Sequence, residues 1–274
     1  MKPDYHKIKV QGISTAYTIR RSNDPTIVCI HGNSLSRKNF MPILEASYLN
    51  SSSLMTYDLP GHGDSERAAD PRQTCTLRGY SAHLKGLMNA LGLKEIVLVG
   101  FSLGGHIAME AASEGLPGLK ALILIASPPV GTLEDFPLAF PSQADGISLF
   151  KEAITREESQ IMAGKLTSDT GFHETLSAAI LSADPAARSA LMHSLEAREF
   201  SNEREHIAGA PVPVILFFGD RDRIISLEYI KSLNIDKNLN IQIKVTSGGE
   251  HFADWNAPGG IISTIGSLIK QLNE

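Results

Sequence analysis

The run Val97-Leu98-Val99-Gly100-Phe101-Ser102-Leu103-Gly104-Gly105-His106 constrains the fold more than any other stretch of this chain. A short apolar strand leads into Gly-x-Ser-x-Gly, and an apolar-periodic helix follows. A turn of this kind holds its serine in a strained backbone conformation that lifts the hydroxyl clear of the sheet. Small residues at Gly100 and Gly104 let strand and helix approach closely enough for the turn to form. The helix N-terminus then aims backbone N–H groups at an anion forming beside the serine. A dinucleotide-binding turn shares this context, but it needs glycine where Ser102 stands and an acidic residue about 20 positions later. The next apolar strand, over Leu119–Ala126, ends without such a residue, and no Gly-Lys-Ser/Thr phosphate loop occurs. A serine nucleophile is the reading that remains.

The 274 residues suffice for one catalytic domain with an inserted subdomain, burying about three quarters of the unfolded surface. A net charge of −5 and a pI near 6.0 give no broad basic field, so no nucleic-acid partner is expected. Nowhere do about 18 uncharged apolar residues run together, so no membrane span is expected. Residues 1–12 interleave Lys2, Asp4, Lys7 and Lys9 with isolated apolar positions, unlike the apolar core of a signal peptide. Cys29 and Cys75, without metal or redox spacing, are expected to be reduced thiols in a cytoplasmic protein.

Strand and helix patterns alternate on either side of the Ser102 turn. Strands are expected over Lys7–Val10, Ser14–Arg20, Thr26–Ile30, Ser53–Tyr57, Glu95–Val99 and Leu119–Ala126. Helices are expected over Arg37–Tyr48, Leu77–Leu91 (stopped by Gly92) and His106–Glu114. This rhythm predicts an α/β fold with a mostly parallel central sheet flanked by helices. From about Val130 to Ile207 apolar strands vanish, and helical segments are punctuated by Pro137, Pro141, Gly146, Gly164, Gly171 and Pro185. Thr155-Arg156-Glu157-Glu158 reads as a capping box, and Ser182-Ala183-Asp184-Pro185 as the entry to another helix. Strands then resume over Pro213–Phe218 and Ile241–Val245, and a helix over Pro258–Leu272 closes the chain. The predicted organisation is a core over residues 1–130, a helical cap over 131–208 inserted after the sixth strand, and the rest of the core over 209–274.

A serine hydroxyl needs a base to take its proton and a third group to orient that base. Of the histidines after Ser102, His106 lies one turn along the same helix and reads as a packing or hydrogen-bonding residue. His173, His193 and His206 lie in the helical insertion and read as exposed helical positions. His251, in the glycine-rich loop Gly248-Gly249-Glu250-His251-Phe252 between the last strand and last helix, suits the base. Asp222, in Gly219-Asp220-Arg221-Asp222 after a buried strand, is the preferred orienting acid, with Asp220 as competitor. Glu250 and Asp254 flank His251 too closely in sequence to orient its ring. Donors to the oxyanion are expected from the backbone N–H groups of Leu103 and Asn33, the latter in His31-Gly32-Asn33-Ser34. The Asn33 side chain is then placed to touch substrate. The turn Pro60-Gly61-His62-Gly63-Asp64-Ser65 lacks metal-ligand spacing and is expected to shape the sheet edge near the site; no metal and no cofactor are expected.

Taken together, His31–Ser34, Asp58-Leu59-Pro60-Gly61-His62-Gly63-Asp64-Ser65, Gly100–His106, Gly219-x-x-Asp222 and Gly249-x-His251 resemble the α/β-hydrolase superfamily over residues 5–130 and 210–272. Residues 31–131 are most similar to the AidH-like N-acyl-homoserine-lactone lactonases, sharing the His-Gly-Asn-Ser turn and the Pro128-Pro129-Val130 exit into the cap. The resemblance implies an α/β-hydrolase fold and ring opening of a homoserine lactone with an amide-linked acyl chain. That group can use glutamate as the acid, where Asp222 stands here, and a cap tyrosine, where Met162 stands here. Phe136, Leu138, Phe140, Ile161 and Met162 are the expected apolar wall around a small ester or lactone substrate. A general carboxylesterase and a non-catalytic binding or signalling protein on the same fold are the other readings.

Overall fold

A computed structural model describes residues 3–141, 150–233, 235, 238–252 and 259–274. Gly146, Asp254 and Pro258, used above as a helix breaker, a flanking acid and a helix start, lie outside the described residues. The chain forms an eight-stranded sheet in the order β1-β2-β4-β3-β5-β6-β7-β8. Its strands are β1 (Asp4–Val10), β2 (Ile13–Arg20), β3 (Asn23–Ile30), β4 (Ser52–Tyr57), β5 (Ile96–Phe101), β6 (Leu119–Ile125), β7 (Val214–Gly219) and β8 (Ile241–Thr246). β2 pairs antiparallel with β1 and β4, and every other neighbouring pair is parallel. Every residue of β5 and β7 is buried, as apolar runs in a parallel sheet covered on both faces should be, and the more polar β4 is buried throughout as well.

The helices are α1 (Met41–Leu44), α2 (Pro71–Thr74), α3 (Leu77–Leu91), α4 (Leu103–Ser113), α5 (Phe136–Ala139), α6 (Arg156–Leu166), α7 (Thr170–Ser182), α8 (Pro185–Glu196), α9 (Glu203–Ala208), α10 (Leu227–Ser232) and α11 (Gly259–Leu272). α3 starts at a Thr76 cap whose hydroxyl accepts the Gly79 N–H, and it stops at Gly92, whose φ of 67° a β-carbon would disfavour. α5 to α9 all fall between β6 and β7. The Thr155 capping box opens α6, and Asp184 with Pro185 opens α8.

The single helix expected over Arg37–Tyr48 is instead broken into a 3₁₀ turn at Arg37–Phe40, the one-turn α1, and a second 3₁₀ turn at Ser47–Leu49. Two causes are visible. Pro42 near the start of α1 brings no backbone N–H. The buried Arg20 guanidinium also donates to the carbonyls of Leu44, Ala46 and Leu49 at 2.7, 3.1 and 2.8 Å, and the first of these is the acceptor that a continuous helix would offer to the Tyr48 N–H. The turn at residues 60–65 follows the internal strand β4 and meets the insertion, where Gly61 O accepts the Asp184 N–H at 2.8 Å.

The parallel registers align strand ends that lie far apart in sequence. Ile30 stands beside Gly100, Phe101 beside Ile125, Ile125 beside Phe217, and Gly219 beside Thr246. The carboxyl ends of β3, β5, β6, β7 and β8 therefore form one rim, from which the loops bearing Asn33, Ser102, Asp222 and His251 emerge. Ligands of open α/β sheets bind at such rims.

His31, His62 and His83 are buried within this framework, and desolvation holds their pKa values down to about 4, about 3 and about 4. A histidine with a depressed folded pKa binds fewer protons folded than unfolded, so its contribution is complete above the unfolded pKa of about 6.5 and is lost as pH falls toward the folded value. Each such ring is expected to cost about 1.4 kcal/mol of stability per pH unit inside that window. The urea midpoint should therefore drop between pH 7 and pH 5. An unchanged or higher midpoint at pH 5 would overturn the assignment of neutral buried rings.

Candidate active site

Ser102 occupies the turn between β5 and α4 with φ 50° and ψ −118°, a conformation few non-glycine residues adopt. The strain is held from several sides. Ser102 N–H donates to Ile125 O at 2.8 Å, and the Ser127 hydroxyl donates to Ser102 O at 2.9 Å. Glycine is required around it by close approach. A β-carbon at Gly100 would collide with the Gly104 backbone, and one at Gly104 would collide with the Ile30 carbonyl. Leu103, the first residue of α4, is buried and lines the same cavity as Ser102.

His251 and Asp222 come from the loops after β8 and β7, and the His251 Nδ1 lies 2.8 Å from Asp222 Oδ2. The other Asp222 oxygen accepts the backbone N–H groups of Ile224 and Ile225 at 2.7 and 3.1 Å. An oxygen fixed by two backbone donors leaves its partner aimed at the imidazole. The carboxylate is fully buried and the His251 side chain is 2 % exposed. Asp220 does not reach the histidine; its Oδ1 accepts the Gly248 N–H at 2.6 Å and ties down the loop carrying His251. Arg221 N–H adds a 2.7 Å bond to Gly249 O. Glu250 points the other way, accepting from Ser168 N–H at 2.6 Å and from the Thr167 hydroxyl at 3.2 Å.

The turn after β3 is anchored through His31. Its Nε2 lies 3.0 Å from the Leu59 N–H, so it acts as acceptor, which leaves Nδ1 protonated to donate to Gly32 O at 2.8 Å. Ser34 takes φ 58°, and its hydroxyl donates to Asn33 Oδ1 at 3.1 Å, orienting the Asn33 amide. Farther back, Asp58 accepts from the Arg37 guanidinium and backbone N–H and from Asp64 N–H, joining this turn to the one after β4.

One cavity of about 330 Å³ brings Asn33, Ser102, Leu103 and His251 together. Its walls are mostly apolar and include Phe136, Phe140 and Met162 from the insertion, as expected, together with Phe150, Met192 and Leu195. Leu138 and Ile161, also expected to line it, do not. They are 62 % and 41 % exposed, because on these short helices they project away from the face bearing Phe136, Phe140 and Met162. Among the histidines of the insertion, His193 is exposed, whereas His173 is half-buried and bonded to Thr167 O at 2.8 Å.

His106 was read from sequence only as a packing or hydrogen-bonding residue, and it also lines the cavity. Its Nδ1 lies 2.9 and 3.0 Å from the two oxygens of Glu203, a fully buried carboxylate at the start of α9. Burial pushes the Glu203 carboxyl upward, opposed by His106 and by the Val130 N–H. The pairing spans 97 residues, and only the position of His106 one turn after Ser102 could have drawn attention to it. Among the described residues, no group of three or more His, Cys, Asp or Glu side chains is placed to hold a metal ion, and no helix is long and apolar enough to cross a membrane.

The arrangement has clear relatives. The hydrolase YugF of Bacillus subtilis, itself uncharacterized, is 23 % identical over 274 aligned residues, covering 96 % of this chain and 97 % of that protein. Among solved structures, a mutant of the N-acyl homoserine lactonase AidH complexed with N-hexanoyl homoserine superposes with a TM-score of 0.91 at 24 % identity, covering 100 % of this chain and 98 % of that one. A putative aryl esterase from Burkholderia cenocepacia superposes with a TM-score of 0.79 at 19 % identity, covering 98 % and 99 %. The family model described as "Alpha/beta hydrolase family" matches residues 27–257. With that match spanning most of its length, the chain belongs to the alpha/beta hydrolase family.

Proposed function

We propose that this chain is a serine hydrolase that opens the ring of N-acyl homoserine lactones. The observation that carries the reading is His251, held by Asp222 at 2.8 Å, on the wall of the cavity that the strained Ser102 also lines. In this mechanism Ser102 Oγ attacks the ring carbonyl carbon while His251 Nε2 takes the hydroxyl proton. Asp222 holds the opposite ring nitrogen and stabilises the imidazolium. The carbonyl oxygen, now an oxyanion, receives the backbone N–H groups of Leu103 and Asn33. Collapse breaks the ring C–O bond, and His251 returns its proton to the alkoxide, which stays tethered to the acyl group. A water molecule, deprotonated by His251, then attacks the acyl-enzyme and releases Ser102, so lactone plus water gives the hydroxy acid.

Two observations favour this substrate. The cavity of about 330 Å³ is mostly apolar, at the lower end of the roughly 300–1,000 Å³ typical of ligand pockets, which suits a short acyl chain. The likeness to AidH, solved with N-hexanoyl homoserine, extends across the insertion as well as the core. The likeness to a putative aryl esterase favours a second reading, a general carboxylesterase with the same attacking serine. In this proposal residues 131–208 act as the cap that shapes the pocket.

Ser102→Ala is expected to lower kcat/KM on esters and lactones by about 10⁴-fold or more, with an unchanged thermal unfolding curve. Turnover within tenfold of the parent would rule Ser102 out as nucleophile. A fluorophosphonate probe should add its mass to the peptide carrying Ser102 alone, and the absence of labelling would favour a non-catalytic protein. Asp222→Asn should reduce kcat by about 10³–10⁴-fold because the amide cannot hold the imidazole in the required tautomer; a loss under tenfold would reassign the acid. Competing rates on N-hexanoyl homoserine lactone and on an aryl hexanoate separate the two substrate readings.

A further inference from the structure

The cavity contains a second histidine–carboxylate pair that the proposed hydrolytic steps do not use. His106 sits one helical turn beyond Ser102 on α4, and Phe140 packs against its ring with centroids 5.9 Å apart. Its side chain is 11 % exposed and its opening is into the cavity, while Glu203 behind it is fully enclosed. The described residues supply a hydrogen-bond partner to Nδ1 alone. Nε2 is left as a polar atom in a largely apolar pocket beside the attacking serine. The Glu203 carboxylate is satisfied by His106 and the Val130 N–H, whereas no described residue satisfies His106 Nε2.

The geometry also indicates which ring nitrogen holds a proton. Glu203 Oε2 accepts the Val130 N–H at 2.9 Å, and Nδ1 is nearly equidistant from both carboxylate oxygens. A shared N–H fits that symmetry, whereas a carboxyl O–H would single out one oxygen. A ring whose single proton is held at Nδ1 presents Nε2 as an acceptor. It can therefore receive an N–H or O–H from a ligand group close to the carbonyl facing Ser102.

We propose that His106 is a substrate-binding residue whose Nε2 accepts the amide N–H on the carbon next to the scissile carbonyl, with Glu203 as the positioning residue that fixes its tautomer. The inference rests on the hydrolase reading above and deepens it by naming the pocket group that selects substrates with an α-acylamino N–H over those with no donor at that position. One lost hydrogen bond of this kind corresponds to a roughly tenfold preference.

The test pairs an α-acylamino-γ-butyrolactone with the α-acyloxy-γ-butyrolactone of equal chain length, in which oxygen replaces the N–H. The parent enzyme is expected to favour the acylamino lactone by about tenfold or more in kcat/KM. His106→Phe should erase the ratio. Glu203→Gln supplies the discriminating result, because its amide oxygen keeps the Val130 N–H while its NH₂ group faces Nδ1. The ring proton then moves to Nε2, the acceptor becomes a donor, and the preference should fall or invert although the pair and the fold persist. A merely structural pair would lower both rates together and leave the ratio alone, which would overturn the proposal, as would a parent ratio near one. Binding of the same two lactones to Ser102→Ala, read by calorimetry, separates the readings. Selective binding without turnover in the parent would sink the hydrolase reading and keep the contact, whereas turnover without selectivity would sink the contact alone.

Discussion

The close approach of α4 to β3 and β5 governs the rest of the molecule. Gly100 and Gly104 have no room for a β-carbon, because the helix backbone lies directly against the ends of two parallel strands. That contact forces Ser102 to φ 50°, a strained position of the kind that costs about 1–3 kcal/mol and persists only when its surroundings over-determine it. Here the surroundings do so through the Ile125 carbonyl on one side and the Ser127 hydroxyl on the other, both supplied by the neighbouring strand β6 and its exit. The reactive geometry is thus a consequence of sheet registration. Moving β6 by one residue would remove both restraints and turn its side chains to the opposite faces.

The other chemical groups are fixed by the same rim and by polar clamps of short reach. His31 joins the turn bearing Asn33 to Leu59 at the exit of β4, and Asp58, one residue earlier, is joined to Arg37 beyond that same turn. On the far side, Asp220 and Arg221 bind the loop of Gly248 and Gly249 while Asp222 binds His251. Three consecutive residues after β7 therefore hold the histidine loop at three points. The residues that would carry chemistry emerge from the ends of neighbouring strands and are held by these short polar contacts, so the site needs little ordering when a ligand enters.

Much of this was legible in the sequence because the relevant signals are local. Ser102 announces itself through glycine spacing and the adjoining strand and helix, Gly92 through its helix-ending role, and Thr155 through its capping box. The elements misread were those decided by distant residues. Nothing in Arg37–Tyr48 reveals that Arg20, from β2, will bind the Leu44 carbonyl along with those of Ala46 and Leu49 just where the helix is interrupted. Sequence order likewise does not disclose that β4 lies between β2 and β3. His106 and Glu203 are 97 residues apart, and no period or motif links them. Phe136, Phe140 and Met162 separated from Leu138 and Ile161 only once the facing of each short helix was known.

The residues between β6 and β7 are more than a cover. Val130 and Glu203, at the two connections of this segment, bond to each other through backbone N–H to carbonyl and backbone N–H to carboxylate, and that carboxylate grips His106 on α4. At the opposite side, Phe252 N–H donates to Leu166 O at 2.9 Å, and Glu250 accepts from Thr167 and Ser168. The segment is thereby fastened to the helix following Ser102 and to the residues flanking His251. A change in packing among Phe136, Phe140 and Met162 would therefore reach the histidine loop through α6 as well as reshaping the pocket. In the proposed mechanism this couples substrate preference to chemical rate, because the wall that would select the acyl group is attached to the loop that carries His251.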